Sequence, residues 1–416
     1  MIKKIIVSAF LLLSLVSFAQ EGTSSPYSYY GIGDVRFRGT VESRSMGGVA
    51  VEQDSIHINL ENPASFANLK LTTFALGGTY ATNKLKTDSN TENARRTTLD
   101  YLAVGLPMGK VGVGFGLIPY SSVGYKIQSL SDVVDASNRR YNGEGGLNKV
   151  FLGAGYKLTP KLSIGADFNY NFGKITTSSL DFVNGIPIGT REVNTADLSG
   201  VNFNIGAMYQ AKITDKLSLF TSLNYSLQHS LTSQNTRNIS TVRYNSAFSV
   251  SVVDVLAEQS SRVNLSFPSK VSFSAGIGEA RKWLVGGKIE YQGRAAQAND
   301  YNAAPNVGYG KYATASLGGY FIPNYNSFSS YAKRIVYRGG LRYEKTGLVV
   351  NGESINDLGF TLGLGMPING VFSNVNFGFE MGKKGTTAAS LVQENYMKIS
   401  VGFSLNDKWF VKSKFN

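Results

Sequence analysis

Charged residues alternate with large apolar residues in two short stretches of the chain. The first sets Lys288 and Glu290 against Ile289 and Tyr291, and the second sets Arg338 and Arg342 against Tyr337 and Leu341. Successive side chains of a β-strand point to opposite faces, so each stretch has one charged and one apolar face. Two chemistries suit the charged faces. They either form a salt-bridged network that packs an interior, or contact a ligand, with Arg338 or Arg342 binding its carboxylate bidentately.

Catalytic chemistry has little support in the sequence. The histidines are His57 and His229, and the chain has no cysteine, which excludes thiolate chemistry and leaves a zinc site without clustered ligands. A phospholipase would need a Ser–His pair on one outer strand face, which His229 and its nearby serines fit loosely. Alternate glycines such as Gly112 and Gly114 do not form a phosphate loop, which joins a strand to a helix. We expect no enzyme activity, no cofactor and no metal.

The elements that position these residues are long alternating strands. Five stretches carry an apolar residue at most second positions, with mainly small or polar residues between them: 162–173, 201–209, 217–227, 271–277 and 283–291. They run to roughly ten residues, the length of a tilted transmembrane strand, whereas strands of soluble proteins are nearer five or six. The sequence therefore predicts an all-β fold, a transmembrane antiparallel up-and-down β-barrel in an outer membrane.

Fourteen strands fit between residues 70 and 405. Their predicted centres are 72–81, 97–106, 111–118, 149–158, 162–173, 200–210, 217–228, 270–278, 283–292, 313–322, 334–344, 357–366, 373–382 and 395–405. Short turns alternate with longer segments at 126–148, 174–199, 229–268 and 294–311, which we predict to be loops on the outside. An even strand count places both chain ends in the periplasm, with residues 406–416 as a short tail.

The first nineteen residues have the features of a signal peptide. Lys3 and Lys4 precede an apolar run from Ile5 to Val16, and small residues follow at Ser17 and Ala19. The run is too short to span a bilayer as a helix, which takes about 20 residues. We predict export, cleavage after Ala19, and a mature chain that begins at Gln20 in the outer membrane of a diderm bacterium.

The net charge of +13 is spread along the chain without a basic helix or repeat. Nucleic acid is therefore not an expected partner. Two interpretations of the basic residues stay open. They either contact acidic lipid headgroups and lipopolysaccharide phosphates near the rims of the barrel, or are solvated loop residues.

Residues 20–69 lack sustained alternation and are rich in glycine. The mixed stretch from Met46 to Val51 predicts a packed segment, and about fifty residues suffice to fold back into the barrel lumen as a plug. A disordered periplasmic tail is the alternative.

These features together resemble the FadL family of outer-membrane transporters for long-chain fatty acids and other hydrophobic molecules. The similar motifs are Ser45-Met46-Gly47-Gly48-Val49-Ala50, then Asn62-Pro63-Ala64 before the first strand, and Leu117-Ile118-Pro119-Tyr120-Ser121-Ser122-Val123-Gly124-Tyr125 after strand three. The resemblance implies that Gly47, Gly48, Asn62, Pro63 and Ala64 belong to a lumenal hatch. It also implies a hydrophobic cargo that leaves sideways through a break in the wall at strand three.

Pro119 gives a physical reason to expect a break in the wall at strand three. Proline has no N–H for a strand ladder, and about seven alternating residues precede it, so the weak point falls within the membrane zone. We take Pro119, Tyr120, Ser121 and Gly124 as lateral-gate candidates. A proline at the outer rim of the strand is the alternative.

A second function fits the same fold, because fold does not determine function. The barrel would be a non-transporting subunit or scaffold of a larger outer-membrane assembly or secretion complex. The apolar run from Val250 to Ala257 would then dock a protein partner, or else cap the lumen. A continuous apolar lumen favours transport, and a lumen blocked by charged side chains and a plug favours the scaffold.

Overall fold

The computed structural model describes residues 23–131, 133, 136–245, 249–296, 306–368 and 373–409. The predicted signal peptide, its cleavage site, the turn at Asn369 and Gly370, and most of the predicted tail lie outside these ranges. No helix among the described residues is long and apolar enough to cross a bilayer.

The described chain is almost entirely β-structure. A two-residue strand β1 (Asp34–Val35), one helical turn α1 (Val41–Arg44) and short 3₁₀ turns at Pro26–Tyr29 and Pro63–Asn68 precede the wall. Two further 3₁₀ turns lie at Ala332–Arg334 and Ala388–Ser390. The remaining strands are β2 (Thr72–Lys86), β3 (Thr91–Met108), β4 (Val111–Pro119), β5 (Ser121–Ser129), β6 (Ser137–Lys157), β7 (Leu162–Val183), β8 (Ile188–Lys212), β9 (Ser218–Ser226), β10 (His229–Tyr244), β11 (Val250–Phe267), β12 (Lys270–Glu279), β13 (Trp283–Arg294), β14 (Val307–Tyr309), β15 (Lys311–Phe321), β16 (Val336–Val350), β17 (Glu353–Pro367), β18 (Asn374–Lys384) and β19 (Gln393–Asp407).

The wall is a closed antiparallel barrel of fourteen strands, as predicted. Four wall strands are interrupted and comprise two segments each, namely β4 with β5, β9 with β10, β11 with β12, and β14 with β15. The last strand closes on the first, from Asp407 opposite Thr72 to Gln393 opposite Lys86. Closure leaves no free sheet edge at this seam, which is required where no water can bond the backbone. Short turns lie at one end of the barrel, the short-turn end, and long hairpins lie at the other.

The prediction of long loops is wrong for three of the four segments. In 126–148, 174–199 and 229–268 the strands continue: β6 begins at Ser137, β7 reaches Val183, and β10 and β11 form a hairpin between His229 and Phe267. Outward positions of these extensions are largely polar, and inward positions mix apolar residues such as Ile175 and Leu231 with polar ones such as Asn235. The period-two signal of the membrane-spanning part is therefore lost, although backbone pairing persists. The fourth segment contains the short strand β14 and residues outside the described ranges.

The strand register turns the charged faces inward. Arg338 and Lys288 are 9% and 7% exposed, whereas their neighbours Leu341 and Ile289 are 52% and 63% exposed. Many of the exposed large apolar residues of the wall alternate with buried polar ones in the same way. The outer surface therefore suits hydrocarbon and the inner surface holds the polar groups.

The inward orientation can be tested with single cysteines, because the chain contains none. Position 338 lines a cavity at the short-turn end, and position 341 lies on the outer face. In a reconstituted bilayer, a charged maleimide should label Arg338→Cys and leave Leu341→Cys unreacted. Equal labelling, or the reverse, would show a register slipped by one residue.

Candidate functional site

The barrel wall is incompletely paired beside its third strand. β3 pairs with β4 from Met108 opposite Val111 to Leu102 opposite Leu117. In the described part of the chain, no strand pairs with this edge of β3 between Thr91 and Tyr101. We call this unpaired edge, together with the facing β5, the wall break.

The chain turns inward at Pro119, which explains the wall break. Tyr120 donates its N–H to the Leu147 carbonyl on β6 at 2.8 Å. N–H groups of successive strand residues point to opposite sides, so the Pro119 nitrogen, which has no hydrogen, faces β3. After Pro119 the residues Ser121 to Tyr125 are all buried. The strand thus leaves the wall where it lacks a donor for its neighbour.

The N-terminal segment, residues 23–69, pairs with the strand that has turned inward. Asp34 and Val35 of β1 lie opposite Ser122 and Ser121. The Ser121 hydroxyl donates to the Ile32 carbonyl at 2.6 Å, and the Ser28 hydroxyl accepts from the Gly124 N–H at 3.3 Å. Gly124 has no space for a side chain, because a Cβ there would overlap the Thr23 carbonyl. Three of the four gate candidates therefore lie at or beside contacts with the N-terminal segment, and Pro119 precedes them.

An apolar cluster lies next to the wall break. Its buried members are Ile32, Val123, Tyr125, Leu147, Ile175, Ala196, Leu198, Leu231, Leu265 and Phe267, and Tyr120 packs against them. The cluster thus joins the N-terminal segment to the inward-turned β5 and to the inner faces of β6 to β8, β10 and β11. Apolar residues at this depth form a hydrophobic surface that reaches the break.

Lys149, which the sequence analysis did not single out, stands at the edge of this cluster. Its ammonium lies 4.5 Å from the centre of the Tyr120 ring, a cation–π distance. It also lines an inner cavity of about 260 Å³ that reaches Tyr120, His229 and Phe267. Among the described residues Lys149 has no ion pair with a carboxylate, so its charge is available to a bound anion.

The four lumenal ligand candidates are engaged within the protein. Lys288 contacts Glu61 of the N-terminal segment at 2.6 Å and Glu290 at 3.5 Å. Arg342 contacts Glu344 at 2.6 Å and Glu380 at 2.7 Å. Such pairs are strong when buried, and breaking one leaves an uncompensated charge.

Arg338 is held in a hydrogen-bonded chain that reaches the N-terminal segment. It donates to the Asn376 side-chain oxygen at 2.9 Å, and Asn376 in turn donates to Glu42 at 2.8 Å. The charged group of each of the four candidates thus has a protein partner. These contacts fit a network that packs the interior of the barrel.

Ion pairs also tie the N-terminal segment to the wall. Arg44 contacts Asp100 of β3 at 2.7 Å, and Asp34 contacts Lys384 of β18 at 2.7 Å. Arg38 reaches Asp357 of β17 at 3.0 Å. Arg36 contacts Asp100 at 3.4 Å, so two arginines of the segment meet one carboxylate at the wall break. Neither these arginines nor Asp100 was singled out from the sequence, since no local pattern links residues so far apart.

Asn62, Pro63 and Ala64 begin a 3₁₀ turn that sits against the barrel wall. The Asn62 side chain accepts from the Ala64 N–H at 3.0 Å, caps the turn, and donates to the Ser222 hydroxyl at 2.8 Å. Wall glycines make room for this turn. A Cβ on Gly112 would overlap the Phe66 carbonyl, and one on Gly165 would lie 2.5 Å from Pro63.

Gly47 makes a separate contact on the opposite wall, and Gly48 follows it in the same turn. Both have positive φ, at 68° and 96°, a conformation that favours glycine. The Gly47 N–H donates to the Thr361 hydroxyl of β17 at 3.0 Å. The predicted hatch residues thus contact two sides of the lumen.

Acidic residues and a histidine of the N-terminal segment line a cavity of about 1100 Å³ at the short-turn end. Burial and the neighbouring Asp54 charge raise the pKa of Glu52 to about 7, although Glu52 accepts a hydrogen bond from Tyr320 at 2.8 Å. Burial opposes the charge of His57, but Asp54, 2.6 Å away, raises the pKa of His57 above its usual value. The same ion pair outweighs burial at Asp54 and lowers its pKa to about 2.

These pKa shifts predict that the N-terminal segment around Glu52 and His57 becomes less stable as pH rises. Both groups bind protons more tightly in the folded state, so the stability that their protonation contributes is lost as pH increases from about 5 to 8. The depressed pKa of Asp54 matters below about pH 4, where its contribution is lost on acidification. Hydrogen exchange of residues 50–60 should be slower at pH 5.5 than at pH 8 after correction for intrinsic rates. Glu52→Gln should flatten this dependence, and an identical slope in both proteins would contradict the assignment.

Known structures share the fold at low sequence identity. The toluene transporter TbuX of Ralstonia pickettii is 14% identical, with 88% of this chain and 98% of that chain covered and a TM-score of 0.58. The toluene transporter TodX of Pseudomonas putida is 14% identical, with 92% and 99% covered and a TM-score of 0.59. A FadL homologue of Pseudomonas aeruginosa is 11% identical, with 90% and 100% covered and a TM-score of 0.61. The chain therefore has the FadL-type barrel fold.

Sequence comparison gives one family. The family model described as BamG matches residues 1–416. No curated protein sequence matches the chain.

Proposed function

The chain belongs to the BamG family, and we propose that it is an outer-membrane protein through which hydrophobic small molecules pass from the cell surface to an exit beside strand three. The wall break is the observation that carries this proposal. Neighbours of the same fold include proteins described as toluene transporters, which gives a precedent for hydrophobic cargo in such a barrel.

In this proposal the signal peptide is removed after Ala19, and residues 20–69 act as the plug. The short-turn end, where the first and last wall strands have Thr72 opposite Asp407, faces the periplasm and the long hairpins face outward, as is general in outer-membrane barrels. The plug obstructs the axial path, since its ion pairs and hydrogen bonds reach β3, β9, β13, β17 and β18. Cargo that enters from outside must therefore leave sideways or displace the plug.

The wall break suits a sideways exit for physical reasons. Backbone groups exposed to hydrocarbon are costly, so a permanent gap between paired strands is not expected in a barrel wall. Here β1 takes over part of the free edge of β5, and the apolar cluster lies directly beside it. Arg36 and Arg44 contact Asp100 on the free edge of β3, and the Arg36 N–H donates to the Tyr120 carbonyl at 2.9 Å, so these contacts lie at the proposed exit.

The cargo that best fits these contacts is fatty-acid-like. Its chain would pack on the apolar cluster, and its acidic group would meet Lys149. This replaces the predicted binding of a carboxylate by Arg338 or Arg342, whose charged groups are engaged. A charge-assisted hydrogen bond of this kind contributes roughly 1.5–3 kcal/mol.

Pro119→Val tests the exit. Valine restores an N–H directed at β3 and favours strand structure, so it should extend the β3–β4 pairing and narrow the wall break. We expect uptake of a labelled long-chain fatty acid to fall at least fivefold at equal surface level, with binding of the same compound unchanged. Pro107→Val is the matched control, because Pro107 lies in the paired part of β3, opposite Gly112. Unchanged uptake in Pro119→Val would argue against the lateral exit.

Lys149→Gln tests the site for the acidic group. Loss of the charge should weaken binding of a long-chain carboxylate about tenfold and leave an alcohol of equal chain length unaffected. Fluorescence competition with purified protein measures both ligands. The control is Lys84→Gln, an exposed lysine on β2 far along the chain. Equal losses for the acid and the alcohol would show that Lys149 supports packing instead of binding the acidic group.

The alternative proposal, a non-transporting subunit of a larger outer-membrane assembly, is favoured by a different observation. The lumen contains a dense set of ion pairs, and Arg36, Arg44 and Asp100 close the N-terminal segment against the wall break. The run Val250–Ala257 is also exposed in the β10–β11 hairpin, with Val253 and Leu256 59% and 56% exposed, so it does not cap the lumen. Absence of uptake above a barrel-null strain for every hydrophobic compound tried would leave this function as the better one.

A further inference from the structure

The short-turn end of the barrel carries a strong excess of positive charge. Among the described residues it contains the basic residues Lys70, Lys110, Lys157, Lys161, Lys212, Lys216, Arg281, Lys282, Lys333, Arg334 and Lys408, and the acidic turn residues Asp215, Glu279 and Asp407. Lys282 contacts Glu279 at 3.0 Å. Most of this charge is therefore not neutralised by the acidic turn residues.

Part of this charge surrounds the opening of the lumen. Lys157 and Lys212 end β6 and β8, Lys161 precedes β7, and the three line the cavity of about 1100 Å³ together with Arg281. The N-terminal segment adds Glu42, Glu52 and Asp54 to the same lining, so the excess of positive charge lies on the strand ends and turns. The side chains of the three lysines make no ion pair with a carboxylate in the described ranges. Cations that line a lumenal opening face an aqueous partner rather than the lipid around the barrel.

The connection between β15 and β16 is a second unusual feature of this end. Residues 322–335 form the longest turn here, and it is ordered by the Asn324 N–H donating to the Lys333 carbonyl at 2.8 Å and by the Ser327 N–H donating to the Asn324 carbonyl at 3.2 Å. Ile322 and Ser327 are buried, yet Phe328 is fully exposed. An exposed phenylalanine on an ordered turn forgoes the free energy that burial against the protein would give, and exposed aromatic anchors are typical of binding interfaces.

The turn also lies next to the cationic opening. Tyr325 lines the same cavity, and the Arg281 guanidinium lies 5.2 Å from the centre of its ring. At the other end of the turn, the Tyr331 hydroxyl donates to the Pro367 carbonyl at 3.0 Å. The exposed aromatic residue and the lysines thus belong to one surface, which we call the cationic mouth.

We propose that the cationic mouth is a docking surface for an acidic periplasmic protein. Phe328 enters an apolar pocket of that partner, and carboxylates of the partner contact Lys157, Lys161 and Lys212. Charge complementarity favours an acidic partner. Several turns of the cationic mouth carry basic residues, and each of them attracts the acidic surface of such a protein. Phe328 supplies the desolvated anchor that surface charges alone lack. This docking surface does not require that the barrel transports a cargo. In the alternative proposal it would be a site where the subunit contacts another protein of the assembly.

Photo-cross-linking in living cells tests the proposal with the full-length protein. A benzoyl-phenylalanine in place of Phe328 should form an adduct with a discrete periplasmic protein of acidic isoelectric point. The same photoreactive residue in place of Val253, at the opposite end of the barrel, should not form that adduct. Charge reversal at the three lysines (Lys157→Glu, Lys161→Glu and Lys212→Glu) should reduce the adduct about tenfold, whereas reversal of three outer lysines (Lys84→Glu, Lys86→Glu and Lys345→Glu) should leave it intact.

Other outcomes would overturn the docking surface. Adducts with lipid alone would show that Phe328 contacts the inner leaflet, and an adduct that survives charge reversal would show that the lysines do not recruit the partner. Absence of any adduct in cells would overturn it as well. Heat-modifiable migration on gels confirms that each variant forms a barrel. Fatty-acid uptake, measured in the same variants, should be unchanged, which separates failure of this proposal from failure of the transport proposal.

Discussion

The need to pair every backbone N–H and C=O of the wall governs the rest of the structure. In a bilayer no water can replace a missing ladder bond, so the barrel closes from β19 to β2 along its full length. The exception is the wall break, where Pro119 withholds a donor and β5 turns inward. Part of the pairing is then supplied by two residues of the N-terminal segment, Asp34 and Val35. The position of that segment and the weakness of the wall therefore have one cause.

A second constraint acts on the inner surface, where the strand alternation collects polar and charged groups. Buried charges must be paired, and many partners come from the N-terminal segment, such as Glu61 for Lys288 and Asp34 for Lys384. Wall glycines accommodate the backbone of the segment at Phe66 and Pro63. This close fit makes the lumen a packed interior along much of its length. The apolar cluster beside the wall break has a different character, and it is there that we place hydrophobic cargo.

Particular residues show how far sequence reasoning reaches. The alternation around Lys288 and Arg338 predicted which side chains face inward, because strand periodicity is local. Asn62, Pro63 and Ala64 were recognised by resemblance, and Asn62 caps the turn that they begin. Lys149 was missed, since its significance comes from Tyr120, which lies across the ladder on the neighbouring wall strand. Asp100 was missed for the same reason: Arg36 and Arg44 reach it from more than fifty residues away in the chain.

The sequence by itself determined the class of fold, the number of wall strands and the inward face of charged residues such as Lys288 and Arg338, because these follow from period-two patterning and turn residues that act over a few positions. Tertiary structure alone decided the extent of the outer hairpins, where the inward positions mix apolar and polar residues and the period-two pattern carries no signal. It also decided the partners of the inner charges and the pairing of β1 with β5. Those features depend on closing the barrel around the N-terminal segment, which brings together residues that no local spacing relates.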